Sequence, residues 1–225
     1  MQNNKKELIA AAACYVLFLL LILLLKTVDV KAVGPSGSSV GFAALNSGFF
    51  KLVGEHPALY KLSAGIGFLA LATVPFFAFL GLLQLVKGKS LSAVDRDLYL
   101  LAVYYAVIFA VYLLFEKIIV NYRPVLEDGE LAASFPSSHT MFGITLLGAA
   151  ALQFKRRLAD QKLRTYVILC CQFLIVLLVL ARLFSGVHWL TDILGGVLIG
   201  SALLLTYDLL SKKLMKMNKP KQSEE

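Results

Sequence analysis

YVILCCQFLIVLLVLARLFSGVHWLTD, residues 166–192, opens as an unbroken apolar run and closes in a polar cluster. The run Tyr166–Phe184 falls within the roughly 17–25 residues that an α-helix needs to cross the hydrocarbon core of a bilayer. The cluster after it carries Arg182, His188 and Asp192 at one end of that crossing. A long greasy helix with its chemistry gathered at one end predicts a membrane protein with a site at the bilayer surface.

Five further runs follow the same pattern: Leu8–Leu25, about Leu62–Val86, Leu98–Phe115, Thr140–Phe154 and about Trp189–Leu210. The fourth is short and reaches spanning length when its helix starts near Pro136. The first run has no small-residue cleavage site directly after it, so it reads as a retained span rather than a signal peptide. The expected fold class is all-α, a six-transmembrane-helix bundle with both termini on one side and one longer external loop at 27–61. No repeat or separate soluble domain is visible, so residues 1–225 read as a single domain. Its core motifs lie within 116–192 and a basic tail occupies 211–225.

Composition supports this. Of the 225 residues 59% are apolar and 16% charged, with a mean hydropathy of +0.77, and the apolar residues come in long runs. Cys14, Cys170 and Cys171 all fall inside apolar runs and suggest neither a disulfide framework nor a metal site.

The net charge of +8 is a topology signal. Fifteen of the 22 Lys and Arg residues precede the first span, join spans two to three and four to five, or follow the sixth. The positive-inside rule assigns that face, with both termini, to the cytoplasm. The charge therefore gives no nucleic-acid footprint, and no obligate protein partner is evident. In the external loop, GPSGSSVG is turn-rich. FAALNSGFFKLV reads either as a short interfacial helix or as a plain connector.

Three polar clusters share the external face: EKIIVNYRP at 116–124, FPSSH at 135–139 and RLFSGVHWLTD at 182–192. In the second, a Ser before an apolar helix is a good N-cap, with Pro136 in the first turn. A helix N-terminus is also a ready anion site, where Ser138 and backbone N–H groups would hold phosphate oxygens beside His139. Both readings stand. In the third, His188 and Asp192 are four apart, which puts them on one face of a helix. That pair is either a structural hydrogen bond or a carboxylate that orients a nucleophilic imidazole. Arg182 reads as a snorkelling or phosphate-binding cation and Trp189 as an aromatic-belt residue.

Together the spacings resemble the three-part signature of the type 2 phosphatidic acid phosphatase family of membrane lipid phosphatases. Arg123-Pro124, Pro136-Ser137-Ser138-His139 and Arg182…His188…Asp192 match in order and internal spacing. Three positions depart from the signature. Ser138 stands for a Gly and Ala181 for a Ser. Lys117 is one residue nearer Arg123 than usual, so Glu116 holds the customary Lys position. On a helix that offset is about 100°.

The resemblance implies that His188 attacks phosphorus, oriented by Asp192. His139 then protonates the leaving oxygen and later activates water. Arg123, Arg182, Ser138 and Lys117 would stabilise the phosphoryl oxygens. No cofactor or metal is implied, and Glu127, Asp128 and Glu130 read as a solvated acidic turn.

The expected activity is hydrolysis of a lipid phosphate or diphosphate at the outer face. Undecaprenyl diphosphate is the first candidate substrate, with phosphatidylglycerol phosphate or phosphatidic acid as alternatives. Outside the enzyme class, a six-span transporter would show a charge at mid-span, and no run has one. A non-catalytic scaffold would be marked by loss of a histidine. A metal site built from His139, His188 and Asp192 would be chelator-sensitive.

Overall fold

The computed structural model describes residues 2–217. Lys219 and Lys221 of the expected basic tail lie outside the described residues. Five described helices are long and apolar enough to cross a membrane: α1 (Gln2–Thr27), α3 (Pro57–Gly88), α4 (Arg96–Lys117), α7 (Gln161–Leu183) and α8 (Leu190–Met217). No strand forms among the described residues, only isolated bridges.

The expected fourth span is built differently. A short helix α5 (Ser138–Phe142) leads into a π-helical stretch, Gly143–Leu147, and then into α6 (Gly148–Arg157). π-stretches of this kind are rare and recur beside functional sites, and this one begins four residues after His139. The helix starts after Ser137, whose hydroxyl accepts from the Thr140 N–H. Pro136 therefore precedes the cap instead of sitting in the first turn.

Helix α8 is the central element. Of its most apolar stretch 44% is buried, against 22–28% in the other four long helices. Those four turn large side chains such as Val16, Phe68, Val103 and Phe173 outward, as helices solvated by lipid tails do. Helix α1 packs along α8, and Phe18 stacks on Phe135 at 5.6 Å. The Gly196–Gly200 pair on α8 works by close approach. A Cβ at Gly196 would come within 2.8 Å of the Ser137 carbonyl oxygen and of Thr140. A side chain there would push α8 away from the capped start of α5.

Polar contacts concentrate at the two ends of the bundle. At one end Lys212 pairs with Glu7 and Asp208 at 2.8 and 2.7 Å, which brings both ends of the described chain together. Arg157 there reaches Asp95 and Asp97 at 2.7 and 2.8 Å and ties α6 to the start of α4. The Arg157 guanidinium, followed by Gln84, holds the Asp95 carboxyl below its ordinary range. At the other end Lys26 donates to the carbonyls of Ile119 and Val120, both at 3.1 Å.

The 27–61 loop folds onto this second end. Its centre is a helix, α2 (Ala43–Val53), not a plain connector. Asn46, fully buried, donates to Thr191 Oγ1 at 3.0 Å and accepts from the Thr191 N–H at 3.3 Å. This reciprocal pair fixes α2 against the first turn of α8.

Candidate active site

Residues 118–137 bring the three clusters together. The segment doubles back through isolated bridges pairing Tyr122 with Ala133 and Glu127 with Glu130. Its tip, Asp128-Gly129, has φ of 51° and 84°, the positive values that a type I′ turn requires and that Asp-Gly tolerates. This acidic turn is a structured hairpin tip, and Glu127 pairs with Arg123 at 3.1 Å. The fold-back sets Ser134, Phe135 and Pro136 against the start of α8.

His188 lies in the link before α8, which begins at Leu190. It therefore does not share a helix face with Asp192 as the i,i+4 spacing predicts. Its Nδ1 is 3.8 Å from Asp192 Oδ2, too long for a hydrogen bond. The Ser134 hydroxyl fills the gap: Oγ is 3.0 Å from His188 Nδ1 and donates to Asp192 Oδ2. Asp192, fully buried, also accepts from the Trp189 N–H at 2.9 Å and from Asn121 Nδ2 at 3.5 Å. On the other side of the ring, His188 Nε2 is buried with no partner. Burial foremost, then the Arg182 and Arg123 cations and His139, holds the His188 imidazole well below its ordinary pKa. Such a ring is neutral and keeps a lone pair at neutral pH, as a nucleophile must.

A second group forms around Arg182. This side chain is fully buried and does not snorkel. Its Nη2 donates to His139 Nδ1 at 2.8 Å and its Nη1 to Ser63 Oγ at 3.2 Å, while the Tyr60 ring lies 5.0 Å from the guanidinium carbon. His139 packs on α3 at a residue without a side chain: a Cβ on Gly67 would lie 3.0 Å from its Cδ2. Trp189 is likewise buried, not a belt residue. It donates from Nε1 to the Tyr122 carbonyl at 2.7 Å and meets Phe50 edge-on.

Two cavities adjoin at Arg123. The first, about 20 Å³, is lined by His188, Ser134, Ser138, Arg123 and Glu116 among others and has room for about one water. The second, about 250 Å³, lies between Arg123, Tyr60, His56 and the hairpin tip. Of the residues expected at the site, His188, Arg123 and Ser138 share the small cavity. Asp192 stands behind His188, and His139 pairs with Arg182. Lys117 is exposed and lines neither cavity. Helix α4 continues through Lys117, so the one-residue offset is kept: Glu116, itself exposed, borders the small cavity and Lys117 does not. Among the described residues, no group of three or more His, Cys, Asp or Glu is placed to hold a metal ion.

The model of the PAP2 superfamily matches residues 8–216. The chain belongs to the PAP2 superfamily. A solved structure described as the first transmembrane PAP2-type phosphatidylglycerolphosphate phosphatase from Bacillus subtilis shares the fold. It superposes with a TM-score of 0.64 at 21% identity, over 91% of this chain and 96% of that one. No curated protein matches the chain. PAP2 membership and the apolar helices together mark a multi-pass membrane protein of a phosphatase superfamily.

Spacing alone does not single out four residues that surround the candidate site of this PAP2 chain. Ser134 and Asn121 lie within or beside the polar clusters, so their neighbourhood was a signal. Tyr60 and Ser63 lie on α3, far away in sequence. Nothing local singles them out.

Proposed function

We propose that the chain is a lipid phosphatase that cleaves a phosphate ester or anhydride at the outer membrane face through a phosphohistidine. The observation that carries this is His188, whose buried Nε2 has no partner and which lines one small cavity with Arg123 and Ser138. In the first step Nε2 forms a bond to phosphorus while the bond to the lipid oxygen breaks. His139, whose Nδ1 accepts from Arg182, carries its proton on Nε2 and delivers it to the departing oxygen. In the second step His139 takes a proton from water, the oxygen attacks phosphorus, and the P–N bond opens to release phosphate. Arg123, Arg182 and Ser138 neutralise the phosphoryl oxygens, the main requirement of phosphoryl transfer. Protein cations supply that charge in this scheme, so activity should survive a chelator. Lys117, exposed on α4, is given no phosphate contact.

Six crossings, with Ser138–Arg157 as the fourth, are consistent with the pairing of Glu7 and Lys212 at one bundle end and with the basic residues there. That end is assigned to the cytoplasm and the histidines to the outside. The external site favours undecaprenyl diphosphate as substrate, because that lipid is released outside the cell membrane. The fold shared with a phosphatidylglycerolphosphate phosphatase keeps that lipid as the second reading. Purified protein should release phosphate from one of the two lipids in preference to the other. His188→Ala should abolish release while leaving the protein folded, and unchanged turnover would overturn the proposal.

A further inference from the structure

Ser134 is 2% exposed, and its N–H donates to the Asn121 carbonyl at 3.0 Å, so its side chain is held in place by the hairpin. Its hydroxyl has one proton and two neighbours, Asp192 Oδ2 and His188 Nδ1. Both Asp192 oxygens already accept from N–H donors, Oδ2 from Trp189 and Oδ1 from Asn121, so the carboxyl acts as an acceptor and the hydroxyl proton goes to it. Toward His188 the Ser134 oxygen can then only accept. The His188 proton must sit on Nδ1, and the Nε2 lone pair is left bare, with no partner. Asp192 itself is 3.8 Å from the ring and cannot impose this directly.

We propose that Ser134 is a positioning residue, the hydroxyl through which Asp192 sets the tautomer and orientation of His188. The proposal deepens the reading of His188 as nucleophile and rests on it. The one hydroxyl proton is committed to Asp192, so Ser134, although it lines the small cavity, has none to donate to a phosphate oxygen and acts through the imidazole. Its removal should therefore alter the chemical step and leave substrate capture alone. The arrangement also makes Ser134 and Asp192 two links of one chain, whose losses should not multiply.

The test combines kinetics with a spectroscopic readout on the full-length protein in lipid nanodiscs. Ser134→Ala should lower kcat for lipid phosphate by about 10–100-fold, as loss of a group that orients a functional histidine does, with KM within about twofold. Asp192→Ala should lower kcat, and adding it to the Ser134→Ala variant should cost less than about threefold more. Nitrogen-15 NMR of histidine-labelled protein, assigned with His188→Ala, should show His188 protonated on Nδ1 in the native chain and lose that preference in Ser134→Ala. An Nε2-protonated His188 in the native protein, an unchanged kcat in Ser134→Ala, or fully multiplicative losses would each overturn the proposal. If native protein releases no phosphate from any lipid phosphate, the phosphatase reading fails, and the tautomer measurement still judges the role of Ser134.

Discussion

Arg182 donates from Nη2 to Nδ1 of His139 at 2.8 Å. A guanidinium only donates, so His139 must accept at Nδ1 and hold its proton on Nε2. A buried cation thus sets the tautomer of one histidine, and a buried hydroxyl joined to a carboxylate sets that of the other. In the proposed mechanism the two rings take opposite tasks, one with a bare lone pair and one with a proton to give. Arg182→Gln should therefore lower kcat by about 10²–10³, the usual cost of one donor to a developing charge. Nitrogen-15 NMR should show the His139 tautomer becoming mixed in the same variant.

Arg123 is held away from full use by Glu127, at 3.1 Å on a half-exposed hairpin tip. Exposed pairs of this kind are worth about 0–1 kcal/mol, so phosphate can displace the carboxylate at little cost. Glu127→Gln should lower KM by about two- to fivefold, the equivalent of that energy, and leave kcat within about twofold. A raised KM would mean that Glu127 orients Arg123 instead of competing for it.

Glu116 and Lys117 are both exposed at the end of α4, and Glu116 alone borders the small cavity. Lys117→Ala should leave kcat/KM within about twofold, in keeping with an exposed surface substitution. Glu116→Lys places a cation where the family signature has one and should raise phosphate affinity, read as a lower inhibition constant for inorganic phosphate. The reverse pattern would show that the last turn of α4 unwinds when substrate binds.

Burial and the neighbouring cations hold His188 neutral below its ordinary pKa of 6.5. An NMR titration of the folded protein should therefore show no His188 protonation step at 6.5, only one displaced to lower pH. The unfolded chain does bind a proton in that window, so this residue's contribution to stability is fully present above 6.5 and is lost as pH falls below it. The slope of Tm against pH below 6.5 should flatten in His188→Asn.

The opposite end of the bundle is fastened by Arg157, whose Nε also reaches Gln153 at 2.9 Å while its fork meets Asp95 and Asp97. Arg157→Ala removes three charge-assisted bonds from a partly exposed site and should cost roughly 1–3 kcal/mol, seen as a lower Tm in detergent. Activity per folded molecule should be unchanged, since these contacts lie at the other end of the bundle from His188.

The amino-acid sequence by itself determined the long helices, because runs such as Leu8–Leu25 and Tyr166–Phe184 carry their own signal. Their apolar side chains match a lipid solvent whatever their neighbours are. It also pointed to His139, His188, Asp192, Arg123 and Arg182, because charged and imidazole groups stand out at the ends of greasy spans and their spacing fits a known signature. Only the tertiary structure decided how those groups meet. The pairing of Arg182 with His139, the hydroxyl between His188 and Asp192, and Tyr60 and Ser63 beside Arg182 all join residues far apart in the chain. A spacing of four suggested one helix face for His188 and Asp192. The chain instead enters α8 only at Leu190, and a hairpin anchored by Asn121 delivers Ser134 into the gap. The direction of each proton depends on which partner is within about 3 Å, and that is a property of packing, not of order along the chain.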